Sequence, residues 1–400
     1  MYRIRLLQSI TLFSLLFLAS ASPSALRKRA TCTVASAGNA GTDDVPAIEA
    51  AIKSCGSGGT IVISAGKTYM IRSTLDFTGC TGCEVQIEGT LKLSDDTNFW
   101  NGVRAAILLT NVNGATVHSK TGSGVVDGNG VPFWQKFALD NSFHRPTLMY
   151  ISGGSNIVVE NLSFKNAPNV FHSVTDGATN VRYSNLKLNA TPKDGATPKN
   201  TDGFDVGNST FVTIASTSVV NQDDCVAFKP GSNFVTVTNI TCTGSHGLSV
   251  GSLAKGSNDV VTNVIVKGAT MIDSTKATGI KLYDGASGHG VATVRNVTFQ
   301  DITVQNCDYA AQIQSCYETP SGTACTPSKH VVDQVVWKSI IGITSSKEDP
   351  VIANMNCPAS GTCNISFQGF TVKAPSGKAN VLCSAVDSNL GVSCSGSAFG

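Results

Sequence analysis

Short runs of β-branched and aromatic residues, each opened by a small polar turn, recur along most of this chain. Five of these turns carry Ser or Thr followed by Asn or Thr, and they lie 24, 30, 23 and 25 residues apart. They are Ser155-Asn156, Thr179-Asn180, Ser209-Thr210, Ser232-Asn233 and Ser257-Asn258. A polar turn followed by a short strand at a recurring interval is typical of a solenoid, in which each repeat packs on its neighbours.

Other architectures fit this pattern less well. A leucine-rich repeat has a similar period, but it needs Leu and Asn positions and helices that the sequence lacks. A β-sandwich would favour tight two-residue hairpins between its strands, and few are visible here. The pattern therefore predicts an all-β, single-domain parallel β-helix, in which equivalent positions stack about 4.8 Å apart along the axis.

One short N-terminal helix is predicted, from Asp44 to Ser54. Asp43 or Asp44 would cap it, and Pro46 suits its first turn. Its apolar stripe is formed by Ile48, Ala51 and Ile52.

The two ends of a solenoid must be covered, because exposed strand edges invite aggregation. We expect the helix and a Cys32/Cys55 pair to cover the N-terminal end. The Cys-rich segment after Cys357 would cover the other end.

The first residues have the order of a targeting segment. Arg3 and Arg5 precede the apolar run Ile10 to Leu18 and the small residues Ala19-Ser20-Ala21, an order typical of a secretory signal peptide over residues 1–21. The apolar run is too short to span a bilayer, so no membrane association is expected.

A dibasic pair, Lys28-Arg29, predicts a processing site that ends a possible propeptide, residues 22–29, and leaves residues 30–400 as the β-helix domain. An uncleaved basic linker is the alternative. Removal of residues 1–29 takes away five basic residues and no acid, so the formal net charge falls from +2 to −3. Without a strongly basic balance, nucleic acid is excluded as an expected partner.

Thirteen cysteines fall in close local pairs, which favours disulfides and an oxidising, extracellular location over a zinc site. Cys307 is the one left over. The six pairs are Cys32/Cys55, Cys80/Cys83, Cys225/Cys242, Cys316/Cys325, Cys357/Cys363 and Cys383/Cys394. Six N-glycosylation sequons, of which only some are expected to carry glycan, lie at Asn161, Asn189, Asn208, Asn239, Asn296 and Asn364.

Ionisable residues concentrate between positions 200 and 281. Asp202 and Asp223 are 21 residues apart, His246 follows after 23 more, and Lys281 follows after 35. At about one coil per step, a β-helix would stack these residues in one column on one face. Packed like charges destabilise a fold unless a function retains them, so the column is a candidate active site.

Four blocks in this region and upstream of it resemble the polygalacturonase family of pectin-degrading glycoside hydrolases. They are Asn200-Thr201-Asp202-Gly203-Phe204-Asp205, Gln222-Asp223-Asp224-Cys225, Ser245-His246-Gly247, and the pair of upstream segments Asp127-Gly128-Asn129-Gly130 with Trp134 and Arg145-Pro146. The resemblance implies a right-handed parallel β-helix as catalytic domain and inverting hydrolysis of α-1,4-galacturonosyl linkages in pectin.

The same resemblance implies roles for four residues. Asp223 resembles the general acid, Asp202 and Asp224 the pair that activates water, and His246 a histidine that tunes the acid. Crowding would raise the carboxyl pKa values and keep the acid protonated. Since adjacent strand residues face opposite ways, Asp223 and Asp224 share a cleft only if the strand bends between them.

A further block departs from the family pattern. Many members carry Arg-Ile-Lys where this chain has Gly279-Ile280-Lys281, so Lys281 is kept as a substrate-binding residue and the arginine is missing. With the segment 245–251, this block resembles the fungal exopolygalacturonase branch (galacturan 1,4-alpha-galacturonidase), which releases galacturonic acid from the non-reducing end. Tyr317 resembles an active-site tyrosine. Five more residues stay ambiguous between site and solvated coil face: Asp205, Lys229, Lys255, Lys276 and Arg145.

The main prediction is therefore a secreted, monomeric, exo-acting hydrolase of polygalacturonate with no cofactor and no metal. An endo-polygalacturonase, or a rhamnogalacturonan or xylogalacturonan hydrolase, would keep the same fold and acids. A pectate lyase would need a calcium cluster beside an arginine base. A β-helical wall-binding protein would have no reason to stack aspartates with a histidine.

Overall fold

The computed structural model describes residues 29–320, 323–387 and 389–400. The predicted signal peptide and residues 22–28 of the possible propeptide lie outside the described residues. Within the described ranges, the helices are all too short or too polar to cross a membrane.

The strands wind into a right-handed parallel β-helix, as predicted, with every strand-to-strand register parallel. One sheet has seventeen strands: Thr31–Val34, Thr60–Ile63, Thr68–Ile71, Glu84–Ile87, Thr90–Leu93, Thr116–His118, Val125–Asp127, Ser155–Glu160, Ser163–Lys165, Thr179–Ser184, Lys187–Asn189, Ser209–Val220, Ser232–Thr243, Asp259–Ile272, Ala292–Cys307, Val331–Thr344 and Thr362–Lys373. The other has eleven: Leu75–Asp76, Ala105–Thr110, Thr147–Ser152, His172–Thr175, Phe204–Val206, Asp224–Phe228, Gly247–Leu253, Lys276–Leu282, Tyr309–Gln314, Val351–Asn356 and Asn380–Ser384.

The interior is a set of stacked apolar columns. Ile157, Val181, Val212 and Val235 occupy equivalent positions in four successive coils and are fully buried. Such columns keep each coil's short strands in register, because a slip of one residue would turn the apolar side chains outward.

The predicted repeat is confirmed for some steps and wrong for others. Ser155 pairs with Thr179 and Ser209 with Ser232, as expected. Thr179 pairs with Thr210 rather than with Ser209, so that step is one residue longer.

The fifth turn is misplaced by four residues, since Asn233 pairs with Thr262. The Ser257-Asn258 turn lies in a longer loop, residues 254–258, between two strands, and the strand that follows begins before its neighbour in the preceding coil.

A left-handed turn residue precedes the first apolar column in seven successive coils. Five coils place an amide side chain there, at Asn156, Asn180, Asn263, Asn296 and Gln334, with φ between 54° and 56°. Asn tolerates this conformation better than most residues. Asn180 donates to Asn156, and Asn296 donates to Asn263, so the amides form a partial ladder along the axis.

The N-terminal end is covered as predicted. A helix runs over Val45–Cys55, buries Ile48 and Ile52, and is tied to the first strand by the Cys32–Cys55 disulfide. Asp44 occupies the cap position but uses its carboxylate to accept from the amides of Ala37 and Met70. Two further helices span Thr97–Trp100 and Val131–Leu139.

The six predicted disulfides all form, and among the described cysteines Cys307 alone is unpaired and is buried. The Cys225–Cys242 bridge closes a single coil rather than joining two, because both residues lie between Asp224 and His246. The segment after Cys357 forms the final coil, and residues beyond it donate backbone hydrogen bonds onto that coil, as Ser395 does to Val381.

Candidate active site

The predicted residues lie on the eleven-stranded sheet, either within or just before four consecutive strands. Asp202 precedes the strand Phe204–Val206, Asp223 directly precedes Asp224–Phe228, and His246 directly precedes Gly247–Leu253. Lys281 lies within the next strand, Lys276–Leu282. All but His246 line a cleft of about 420 Å³.

Asp223 and Asp224 face the same cleft because Asp223 lies outside the strand. The chain bends at Asp223 and the strand begins at Asp224, so the alternation of side chains along a strand does not apply to this pair. A β-bulge follows, since Asp224 pairs with Gly247 and Val226 with Leu248, which inserts Cys225 as an extra residue. The bend that the resemblance implied is therefore present.

Asp224 is the most enclosed carboxylate of the site. Its Oδ1 accepts from the Ser249 hydroxyl at 2.7 Å, and its Oδ2 accepts from Lys281 Nζ at 2.6 Å. Only 1% of the Asp224 side chain and 8% of the Lys281 side chain are exposed. The charge of Asp224 opposes the effect of burial and raises the pKa of Lys281, so this cation stays charged.

Asp223 is more accessible and faces His246. His246 Nδ1 lies 3.2 Å from Asp223 Oδ1, and Asn200 donates to the other carboxylate oxygen at 3.3 Å. Arg145 holds Asn200 in turn through a 2.8 Å hydrogen bond to its Oδ1, while the guanidinium stacks on the Phe137 ring. Arg145 is thus a buried part of the cleft rather than a residue of a solvated face.

Asp202 and Asp205 share a third cation, Lys229. Its Nζ lies 3.8 Å from Asp202 Oδ2 and 3.5 Å from Asp205 Oδ1. Burial would lower the pKa of Lys229, but the charges of Asp205 and Asp202 raise it. Asp205 and Lys229 both line the cleft, a placement that the sequence left open.

Crowding was expected to raise the pKa values of the carboxyl groups. This holds for Asp202 but not for Asp223, the expected acid. Burial, and then the charges of Asp205 and Asp223, raise the pKa of Asp202 well above its usual range. Burial would also raise the pKa of Asp223, but the hydrogen bond and charge of His246 lower it to about 2. The pKa values of the two carboxyls are therefore driven apart, with that of Asp202 the higher.

Asp202, Asp223 and Asp224 each place an oxygen within 4.8 Å of the others. A trio with this spacing can hold a divalent cation or position a water molecule. Lys281 and Lys229 already bring positive charge to Asp224 and Asp202, which weakens the attraction for a metal ion.

The stacking expected for Lys281 is wrong, although Lys281 does line the cleft. Gly251, and not His246, pairs with Lys281, so the lysine lies further along its strand and reaches back to Asp224. Position 279 explains the missing arginine: a Cβ there would lie 2.6 Å from Cδ and Cε of Lys276. The buried Lys276 chain fills that space and brings a cation from within the same strand.

Tyr317 also lines the cleft, with its ring centroid 5.4 Å from Lys281 Nζ. Burial raises the pKa of this phenol, so it remains neutral. Lys255 is different: it is largely exposed and pairs with Glu318 outside the carboxylate cluster. Sequence reasoning passed over Asn200 and Ser249, although both belong to the blocks that carry the resemblance.

The profile of the family described as Glycosyl hydrolases family 28 matches residues 55–394. The chain is 54% identical to endo-xylogalacturonan hydrolase A of Aspergillus tubingensis, over 99% of this chain and 100% of that protein. It is 53% identical to a probable endo-xylogalacturonan hydrolase A of Aspergillus fumigatus, over 98% and 99%.

A solved structure agrees with these relatives. The crystal structure of endo-xylogalacturonan hydrolase from Aspergillus tubingensis superposes with a TM-score of 0.91 at 56% identity, covering 93% of this chain and 100% of that one. These relatives are named for endo action on xylogalacturonan. They do not support the exopolygalacturonase interpretation of residues 245–251 and 279–281, and they favour the xylogalacturonan alternative.

Proposed function

We propose, from the premise that the chain belongs to family 28 of the glycosyl hydrolases, that it is a secreted, monomeric endo-hydrolase of xylose-substituted galacturonan. The observation that carries the proposal is the 53–54% identity to endo-xylogalacturonan hydrolases along nearly the whole chain. Six disulfides support the extracellular location.

The reaction needs a proton for the leaving oxygen and a water molecule at the anomeric carbon. Asp223 is the proposed acid, because it is the most accessible carboxylate of the trio and touches His246. The Asp223–His246 pair can carry one proton, and transfer across their 3.2 Å contact makes Asp223 the donor despite its low pKa in the free protein.

The water is proposed to be held by Asp202 and Asp224. The raised pKa of Asp202 suits its ionised form to accept a proton from water, while both oxygens of Asp224 are engaged by Ser249 and Lys281. Attack of the water oxygen breaks the bond from the anomeric carbon to the leaving oxygen. Asp223 protonates that oxygen, and Asp202 accepts a proton from the water.

The stereochemical outcome is a separate part of the proposal. Inverting enzymes usually keep their two carboxyl groups about 6.5–9.5 Å apart so that water fits between them. Here the nearest oxygens of the trio lie within 4.8 Å, so inversion requires a water held beside the acid by Asp202 and Asp224 together. Proton NMR of the first product checks this: the β-anomer is expected, and the α-anomer would show retention through a covalent Asp intermediate.

Four cations match the charge of a polyanionic substrate. Lys281, Lys229 and Arg145 all line the cleft. Lys276 begins the strand Lys276–Leu282 and is buried, and burial lowers its pKa to about 8. We propose that Lys281 and Tyr317 contact the substrate and that Lys276 supplies charge in place of the missing arginine.

The mode of action and the substrate can be tested together. The secreted protein is incubated with xylogalacturonan and, separately, with polygalacturonate, while viscosity and product sizes are followed. A rapid fall in viscosity with mixed oligosaccharides from xylogalacturonan, and little reaction with polygalacturonate, is expected. Monomer release without a viscosity change would restore the exo interpretation. Equal cleavage of both substrates would make the protein a polygalacturonase.

The metal-free site is tested separately with EDTA, which should leave the hydrolysis rate unchanged. Loss of activity in EDTA that a divalent cation restores would contradict this expectation.

A further inference from the structure

In two coils, phenylalanine replaces the amide residue at the left-handed turn. Phe211 and Phe234 occupy the column position that Asn or Gln fills in the five other coils, with φ of 56° and 51°. Their side chains are 56% and 47% exposed. The rings stack on each other, with centroids 5.1 Å apart and an angle of 13° between their planes.

Neither stability nor local preference accounts for this substitution. A bulky residue at positive φ is unfavourable, by about 1–2 kcal/mol for an L-residue, whereas Asn adopts this conformation readily. The exposed rings leave apolar surface in water and take no part in the amide ladder, so that Asn263 donates instead to Asn233, the residue beside Phe234. Local rules broken at an exposed position, in adjacent coils, are typical of a binding surface.

The aromatic pair lines a groove of about 330 Å³ on the seventeen-stranded sheet. Ile265, which is 47% exposed, extends the apolar strip onto the next coil. The remaining lining side chains are Thr and Asn, among them Thr213 and Thr236. None of the residues lining this groove is ionisable, whereas the active-site cleft on the eleven-stranded sheet is lined by four aspartates and several cations.

We propose that this groove, the aromatic groove, is a second carbohydrate-binding site that takes a neutral pyranoside chain. A sugar ring offers an aliphatic C–H face to an aromatic side chain and a rim of hydroxyls to Thr and Asn. The lack of charge matches an uncharged sugar and gives no compensation for desolvating the carboxylates of galacturonan.

The site would act separately from catalysis. The aromatic groove and the active-site cleft belong to different sheets of the same coils, so a chain held in one does not block the other. Binding to neutral wall polysaccharide would keep the enzyme at a surface where its acidic substrate is interleaved. The inference does not depend on which galacturonan the cleft cuts.

The test uses a double variant, F211Q/F234Q, which places at both turns the amide that Gln334 carries in the same column and creates no N-glycosylation sequon. Ile343→Gln, at a 56% exposed position on the same sheet, is the matched control. Binding of the glycosylated, full-length secreted protein to linear β-1,4-xylo-oligosaccharides and cello-oligosaccharides is measured by titration calorimetry, with oligogalacturonates as the charged probe.

Saturable binding of at least one neutral probe is expected, weakened about tenfold or more in F211Q/F234Q and unchanged in the Ile343→Gln control. The hydrolysis rate on soluble substrate should be equal in all three proteins. No saturable binding of neutral probes would overturn the proposal, as would equal binding by the double variant. Binding that appears only after enzymatic removal of N-glycans would overturn it in favour of the protein's own glycan as the occupant. A concentration-dependent dimer lost in F211Q/F234Q would overturn it in favour of a second copy of the chain.

Discussion

The same coils carry a charged cleft on one sheet and an uncharged aromatic groove on the other. On the eleven-stranded sheet, residues on or just before three strands, Asp202, Asp223, Asp224 and Lys281, line a polar cleft. On the seventeen-stranded sheet, two of these coils carry Phe211 and Phe234, which line a groove without charged residues. The backbone of a β-helix follows nearly the same path in every coil. The side chains at equivalent positions, rather than the backbone, therefore decide what each face binds.

Both faces contain locally unfavourable choices, and the comparison shows how each is tolerated. The cleft offsets its crowded carboxylates with cations, most closely through the 2.6 Å contact of Lys281 with Asp224. The groove offsets strained turns only by stacking one ring on the other. Substitutions should therefore change activity and stability strongly in the cleft and weakly in the groove.

The largest effect is expected from Asp223→Asn. An amide cannot protonate the leaving oxygen, so kcat should fall by about 10²- to 10⁴-fold. The melting temperature should change little, because Asp223 lies at the cleft surface. Asp333→Asn, which breaks the exposed pair with Arg295, is the control and should keep full activity. An Asp223→Asn rate above about a tenth of the wild-type rate would remove Asp223 from the acid role.

The buried pair should dominate stability. Lys281→Met leaves Asp224 buried without its cation, and the free energy of unfolding should fall by about 3–5 kcal/mol. Adding Asp224→Asn to Lys281→Met should restore most of that loss, because no buried charge is then left unpaired, while activity stays abolished.

Denaturant unfolding of the single and double variants measures this cycle. Lys347→Met breaks the exposed pair with Asp308 and should cost less than about 1 kcal/mol. If the double variant is as unstable as Lys281→Met alone, the pair is not what holds these strands together.

Lys276→Met should stabilise the protein and weaken substrate binding. Burial lowers the pKa of Lys276 to about 8, so the folded state holds this proton less tightly than the unfolded state. Stability of the wild type should therefore rise with pH between about 8 and 10, and the variant, free of this cost, should be more stable by at most about 3 kcal/mol below pH 8. KM should increase a few-fold, whereas exposed Lys338→Met should leave it unchanged. An unchanged pH profile of stability would show that Lys276 is not desolvated.

Asp202→Asn should also stabilise, with a pH dependence of opposite sign. The pKa of Asp202 is raised in the folded protein, so wild-type stability falls as pH rises above about 4, where the unfolded carboxyl ionises. The advantage of Asp202→Asn over wild type should thus grow with pH in thermal melts, while activity is lost. Lys229 keeps Asp205 as a partner in this variant. A variant less stable than wild type at neutral pH would mean that Asp202 is held ionised.

The repeat of polar turns was enough to predict the β-helix, since it reports the stacking that every coil needs. It could not place Lys281, because the loop 254–258 and the irregular register after Gly251 shift the later coils. Gly279 was misinterpreted for a related reason: a neighbouring side chain, Lys276, fills the space, and spacing alone does not show this. Asp205 stays ambiguous in the sequence, because alternation does not show that it lies 3.5 Å from Lys229 in the cleft.

The smallest effect is expected where the groove is altered. Replacing Phe211 and Phe234 by Gln keeps both left-handed turns with the amide that Gln334 carries in this column, and removes an aromatic pair worth about 0.5–1.5 kcal/mol. The free energy of unfolding should therefore fall by no more than about 1.5 kcal/mol. The reverse change, Asn180→Phe, should destabilise because it adds strain and breaks the hydrogen bond to Asn156. A loss above about 2 kcal/mol in F211Q/F234Q would mean that the rings support the fold, and the contrast between the two faces would then fail.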